Sequence, residues 1–176
     1  ITKAGDIALF TSEHGLPTSK VKLVIDLPGE YEVSNTSITG ISARSHIDTE
    51  DQKSAVIYKI IADDIRIAVV GHIDPKLSET QLEALGTIDI LVIPVGGNGF
   101  TLDPVGALRV IKEIEPKIIV PTNYADSKLK YPVPATDLEA AVKGLSMEIK
   151  ETTDKLRLKG SDILTDQAQL IVLERQ

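Results

Sequence analysis

The pattern of the chain changes at Gly71, and that change limits the fold more than any other feature. Before it, short runs rich in Ile, Val and Ala are separated by turn-like residues; after it, such runs alternate with segments that carry helix caps. Residues 6–11 and Val21–Ile25 read as buried strands, with Asp26-Leu27-Pro28-Gly29 as a turn. Glu30–Val33 alternates polar with apolar residues, as a half-exposed strand does, and Asn35-Thr36 turns into Ser37–Ile41. Ala55–Ile61 and Ile65–Val70 flank Ala62-Asp63-Asp64 as a hairpin. Beyond Gly71, Ser78…Gln81 forms a capping-box pattern, followed by Leu82 and Leu85 and a stop at Gly86. Ile88–Pro94 reads as a buried strand and runs into the glycine-rich Val95–Gly99. Asp103-Pro104 opens a helix whose apolar side is Val105, Leu108, Ile111 and Ile114. Lys117–Pro121 is the next strand, Thr136…Glu139 a second capping box with its helix ending near Gly144, and short strands close the chain at Gln169–Leu173. The sum is a mixed α/β (α+β) architecture in which helices cover sheets, with functional side chains expected at strand ends.

With 176 residues the chain reads as a single domain, 1–176, large enough for a true core. Apolar residues make up 42% but aromatics only 3%, so the core must be aliphatic and few rings are available to stack on bases. The net charge is −7 and no Lys/Arg cluster stands out, which disfavours nucleic acid as a partner. Cysteine is absent, which removes disulfide and thiolate chemistry and fits a cytosolic (cytoplasmic) protein. No apolar run approaches the roughly 20 residues that cross a bilayer, so no membrane partner is expected. The first residue is Ile1 rather than Met, which fits a fragment or processed product.

The chain has three histidines, His14, His46 and His72, and each follows a strand-like run in a segment rich in Ser, Gly, Asp or Pro. Imidazoles at strand ends suit metal ligation or acid/base work. The first lies in Thr11-Ser12-Glu13-His14-Gly15-Leu16-Pro17. Ser12 beside His14 suggests a nucleophile and base, but near neighbours in one loop rarely reach the needed geometry, and no orienting carboxylate is evident. Gly96-Gly97-Asn98-Gly99 lacks the Lys-Ser/Thr of a phosphate loop and reads as a tight turn at a cleft edge. Glu50-Asp51 and Asp63-Asp64 read as solvated charges.

Several ordered stretches together resemble the metallo-β-lactamase fold superfamily, in particular small Zn-dependent hydrolases related to ascorbate-6-phosphate lactonases. They are Asp6–Thr11, Pro28–Val33, Gly71 ahead of Leu77–Leu82, Ile88–Gly97, Pro116–Tyr124 and Asp154–Leu156, and they span most of the chain. The resemblance implies an αββα sandwich with its site at one edge of the two sheets. It also implies further N-terminal strands that this chain lacks. Its chemistry is hydrolysis by a metal-activated water.

The ligands implied by the resemblance are largely replaced. The family loop reads Thr-His-x-His-x-Asp-His; here Ser12 stands for the first His, His14 is kept, and Leu16 and Pro17 stand for the Asp and last His. His46 matches the next His, Gly71-His72 replaces a Gly-Asp pair that supplies a bridging carboxylate, and Asn123 replaces the His of a Pro-x-His-Tyr pattern that keeps Tyr124. Two expectations follow. One is a pseudoenzyme with a degraded dinuclear site and no metal, serving as a binding or structural module, self-associating or pairing with an active relative. The other is one zinc held by His14, His46 and His72, hydrolysing a small phosphorylated or lactone-like substrate. The altered ligands favour the first. Asp74 could orient an imidazole from behind, but the favoured reading is a turn residue before Pro75, and Tyr124 either lines the cleft or packs.

Overall fold

A computed structural model describes residues 5–12, 21–129, 133–158, 163 and 167–175. Among these, ten strands and three helices follow in the order β1 (Ile7–Leu9), β2 (Leu23–Ile25), β3 (Gly29–Val33), β4 (Thr36–Ala43), β5 (Ala55–Ala62), β6 (Ile65–Val69), α1 (Glu79–Leu85), β7 (Ile90–Pro94), α2 (Pro104–Ile114), β8 (Ile118–Thr122), α3 (Leu138–Leu145), β9 (Ile149–Thr153) and β10 (Gln169–Leu173). One eight-stranded sheet has the order β3-β4-β5-β6-β7-β8-β10-β9, and β1 and β2 form a separate parallel pair. Strands β3 to β6 are antiparallel, with tight turns after β3 and β5 and a longer link, residues 44–54, between β4 and β5, whereas β6-β7-β8-β10-β9 are parallel, and the crossovers from β6 to β7 and from β7 to β8 carry α1 and α2. This is the change of pattern seen at Gly71. The fold is that of the metallo-β-lactamase sandwich, with helices on one face of the large sheet and a second, two-stranded layer on part of the other.

Alternation along the strands sorts the core into these layers. Ala55 and Ile57 of β5, Ala68 of β6, Leu91 and Ile93 of β7 and Ile119 of β8 face the helices and meet Leu85, Ala107, Val110, Ile111, Ala141 and Leu145. Val56 and Tyr58 face the other way, with Ile25, Ile38, Ile7 and Leu9. Ile90, Ile118, Val120 and Ile171 continue that second face and are packed by Leu156 and Leu158.

Tyr58 fastens the two sheets together. It is fully buried, and its hydroxyl lies 2.9 Å from the carbonyl oxygens of both Phe10 and Ile25, one at the end of each small strand. The single proton can be donated to only one of them at a time. Burial pushes the phenol up to about 12, with the charges of Tyr31 and Asp26 adding to it, so the hydroxyl stays a donor at any working pH.

Several expectations shift by a residue or more. The hairpin turn is Ser34-Asn35, both at positive φ, rather than Asn35-Thr36. Asp137, not Thr136, caps α3 by accepting from the Ala140 amide. That helix ends at Leu145, near Gly144 as expected, and a Cβ at Gly144 would come within 2.5 Å of Pro104, so the glycine permits close packing of α3 on α2. Val105 is 71% exposed, and the buried side of α2 is Ala107, Val110, Ile111 and Ile114. The caps at Ser78 and Asp103 form as the sequence predicts. No helix among the described residues is long and apolar enough to cross a membrane.

At the end of the parallel strands remote from the site, Asp89 accepts from Arg66 through Nε at 2.8 Å, Nη2 at 2.9 Å and the backbone amide at 2.8 Å. These bonds from Arg66 hold the Asp89 carboxyl below the usual range even though burial opposes them. A depressed carboxylate contributes stability above its unfolded pKa, and that stability is lost as pH falls through the folded value. Urea midpoints measured from about pH 6 to pH 2 should therefore fall on acidification below about pH 4, and Asp89→Asn should flatten that fall. Tyr58→Phe should lower stability by about 1–2 kcal/mol in equilibrium urea unfolding, with the largest rise in amide exchange at β1 and β2.

Candidate functional site

The site lies where strands β5 to β8 meet the segments around Ser12, Arg44–Ser54 and Gly71–Asp74. Two pairs of backbone contacts assemble it. The Val56 amide donates to the Thr11 carbonyl at 2.9 Å and Ser12 bridges to Ala55, which lays the end of the small sheet over the start of β5. Ser45 bridges to Ile73, and the Asp74 amide donates to the Arg44 carbonyl at 2.7 Å. Gly71 allows the closest approach: a Cβ there would stand 1.9 Å from Thr11 Oγ1. Gly71→Ala should therefore push Thr11 and Ser12 off the sheet. The expected loss is about 1–3 kcal/mol by urea unfolding, with amide shift changes concentrated at residues 10–12 and 72.

These links enclose a cavity of about 360 Å³. Ser12, Ser45, His46 and His72 line it, together with Ile47, Ser54, Gly99 and Phe100. Three of the residues singled out in the sequence, Ser12, His46 and His72, are thus brought together from three separate segments. His14, Leu16 and Pro17 lie outside the described residues.

His46 is held by its Nε2, which meets the carbonyl oxygen of Gly99. A carbonyl only accepts, so Nε2 carries the proton and a neutral ring leaves Nδ1 bare. That Nδ1 is buried and has no hydrogen-bond partner among the described residues. His72 packs edge-to-face with Phe100, ring centroids 4.7 Å apart and planes at 77°. Phe100 also lines the small pocket that contains Asn123. Two contacts pin the loop that carries it: the one from His46 to Gly99, and the Asn98 side-chain amide to the Pro134 carbonyl. Gly97, Asn98 and Gly99 all adopt positive φ, which gives the glycine-rich sequence a conformational reason.

Asp48 organises the remaining wall. Its carboxylate accepts from the Ser45 amide at 2.8 Å, the Ser54 amide at 2.8 Å and the Ser54 hydroxyl at 2.7 Å. Burial pushes this carboxyl up, but the bonds from Ser54 and Ser45 and the nearby Arg44 charge outweigh it and hold it below the usual range. Neither Phe100 nor Asp48 was singled out from the sequence. The available signal for Phe100 was its place directly after a glycine-rich strand end, in a chain with two Phe.

Asp74 does not support an imidazole. One carboxylate oxygen pairs with Arg44 and the other accepts from the Lys76 amide, as suits a turn residue before Pro75. Tyr124 packs against the main core, and its hydroxyl lies 3.4 Å from the Leu173 carbonyl. Asn123 takes a left-handed conformation, φ 58°.

The described residues fit a two-metal centre poorly. No described Asp or Glu lines the cavity, and among the described residues no group of three or more His, Cys, Asp or Glu able to hold a metal occurs. His46 by itself fits a metal ligand well, because a ring fixed through one N–H with the other nitrogen bare is how second-shell bonds present imidazole to a metal.

The fold, with a histidine-bearing cavity at the strand ends, defines a protein of the metallo-β-lactamase class. Residues 6–123 match the model of the beta-lactamase superfamily domain, and the chain belongs to that family. It is 22% identical over 133 residues to a metal-dependent hydrolase of Archaeoglobus fulgidus, covering 72% of this chain and 57% of the relative. The chain thus spans little more than half the length of that curated relative. A crystal structure from Thermotoga maritima, of a metallo-beta-lactamase superfamily protein whose name proposes a Zn-dependent hydrolase, is similar at 25% identity and a TM-score of 0.74. That match covers 97% of this chain and 82% of the other. A Parabacteroides distasonis structure, whose name proposes a metal-dependent hydrolase, shares the fold at 18% identity and a TM-score of 0.62, covering 99% and 79% of the two chains.

Proposed function

We propose that this member of a metal-dependent hydrolase family has a dismantled two-metal centre and serves as a binding module for a small molecule in the His46–His72 cavity. The observation that carries this reading is the position of Phe100. Its ring packs on His72, and the residue lines both the cavity and the Asn123 pocket, so it adjoins two positions where the family resemblance implies metal ligands. A two-metal mechanism needs both ions about 3.5–4 Å apart, clamping the attacking and leaving oxygens. An aromatic residue beside their ligand positions, with no described carboxylate on the cavity wall, supports loss of that chemistry. Self-association or pairing with an active relative forms part of the same proposal.

One observation favours a second reading, a mononuclear zinc hydrolase. His46 Nδ1 is buried and bare while Nε2–H is spent on Gly99, as in a ring awaiting a metal. In that reading His46, His72 and His14 would hold one zinc, which would supply an activated water and polarise the scissile group. The substrate would be small and lactone-like or phosphorylated.

Metal analysis separates the two. Protein purified with zinc present and then desalted should carry well under one zinc per chain, and His72→Ala should not change that content. One zinc per chain, lost in His72→Ala, would overturn the binding-module reading.

A further inference from the structure

We infer that Asn98 is a self-modification site: its side-chain amide is displaced by the backbone nitrogen of Gly99, leaving aspartate or isoaspartate, and the change loosens the loop that carries Phe100. The inference stands whether the cavity takes a small molecule or a metal. Asparagine is a thermolabile residue, and the residue after it governs how readily it reacts. A glycine there has no Cβ to keep its nitrogen away from the neighbouring side chain. The chain has three asparagines, and of these Asn98 alone precedes a glycine; Asn35 precedes Thr36 and Asn123 precedes Tyr124.

The fold sets the pair where the reaction can run. The turn is closed by hydrogen bonds from the Gly97 amide to the Leu102 carbonyl, and from the Phe100 and Thr101 amides to the Gly97 carbonyl. Asn98 and Gly99 stand at its tip, both exposed to water. The Asn98 side chain donates to the Pro134 carbonyl at 2.5 Å. That contact is a brake, because it must open before the side chain can turn toward the Gly99 nitrogen. In the reaction the Gly99 nitrogen loses its proton to a solvent base and bonds to Asn98 Cγ. The Cγ–Nδ2 bond breaks, and the nitrogen leaves as ammonia with a proton from solvent. Water then opens the five-membered imide. Cleavage of the bond from its nitrogen to Cγ gives aspartate; cleavage of the bond to the main-chain carbonyl carbon gives isoaspartate, which adds a methylene to the backbone. Either product carries a carboxylate and has lost the N–H donors of the amide. An oxygen facing the Pro134 carbonyl sets acceptor against acceptor, so the contact cannot re-form. Of the two contacts that pin the loop, the one between His46 and Gly99 then remains. Phe100 follows directly, with its ring on His72 and in the cavity wall.

Protein held at mildly alkaline pH and then digested with trypsin tests the inference. Peptide Leu77–Arg109 carries Asn98, and Leu23–Arg44 carries Asn35, which is also exposed and at positive φ. Leu77–Arg109 should gain the mass of an amide-to-acid exchange, located at Asn98 by fragmentation, and split into two chromatographic peaks. It should do so several-fold faster than Leu23–Arg44, and Asn98→Gln should abolish the gain. In hydrogen exchange, Asn98→Asp should raise the Phe100 amide rate several-fold and leave β5 unchanged. No mass gain at Asn98 in folded protein, over the time in which urea-unfolded protein converts, would overturn the site. Equal rates at Asn98 and Asn35 would do the same. A Phe100 amide in Asn98→Asp that exchanges at the unsubstituted rate would overturn the loosening of the loop.

Discussion

The cavity depends on the join between the two sheets. Tyr58 reaches from the middle of the large sheet to the carbonyls of Phe10 and Ile25, Val56 holds Thr11 through its amide, and Gly71 leaves the space that Thr11 fills. Each contact concerns residues next to the site rather than in it. Together they set where Ser12 stands relative to His72. A buried donor that lost its acceptor would cost about 1–3 kcal/mol, so the small sheet cannot slide without exposing that penalty. A two-stranded layer of three-residue strands has little stability of its own, and it is ordered because the large sheet supplies both its apolar floor and its hydrogen-bond anchor.

In the proposed binding module, loss of metal chemistry and gain of apolar character would be two aspects of one change. A metal centre needs anionic or imidazole donors converging on a point, with water excluded from competing positions. Here Ser12, His72 and Asn123 stand at positions that the resemblance assigns to other ligands, and Phe100 packs against one of them. His46 keeps the bond that would orient a metal-binding ring, because its Nε2 contact with Gly99 also holds the loop that carries Phe100. Its geometry therefore has a structural use whether or not a metal is bound. Asp48 has a similar role, holding Ser45 and Ser54 in place through three accepted hydrogen bonds.

The strands and helix starts were legible because their signals are local. β-branched alternation, the Ser78 capping box and the Asp103-Pro104 start each act within a few residues, and each formed as read. The features that shifted are the cap expected at Thr136, which passes to Asp137, and Val105, which faces solvent. The third helix ends at Leu145, near Gly144 as read, and Gly144 is also the point where α3 touches Pro104 of α2. Asp74 is the turn residue before Pro75 that the sequence favoured, and its other carboxylate oxygen is taken by Arg44, thirty positions earlier.

The sequence by itself determined the order of elements, the family resemblance and the short set of chemically capable side chains, because composition, caps and ordered motifs are properties of the chain. Only the tertiary structure decided which of those side chains share a wall. The His46–Gly99 contact, the His72–Phe100 ring pair and the Ser45–Ile73 bridge all join segments distant in sequence. Their meeting depends on strand register and on the close approach at Gly71. A one-residue change of register would turn each strand's side chains to the opposite face, and the same residues would then build a different site.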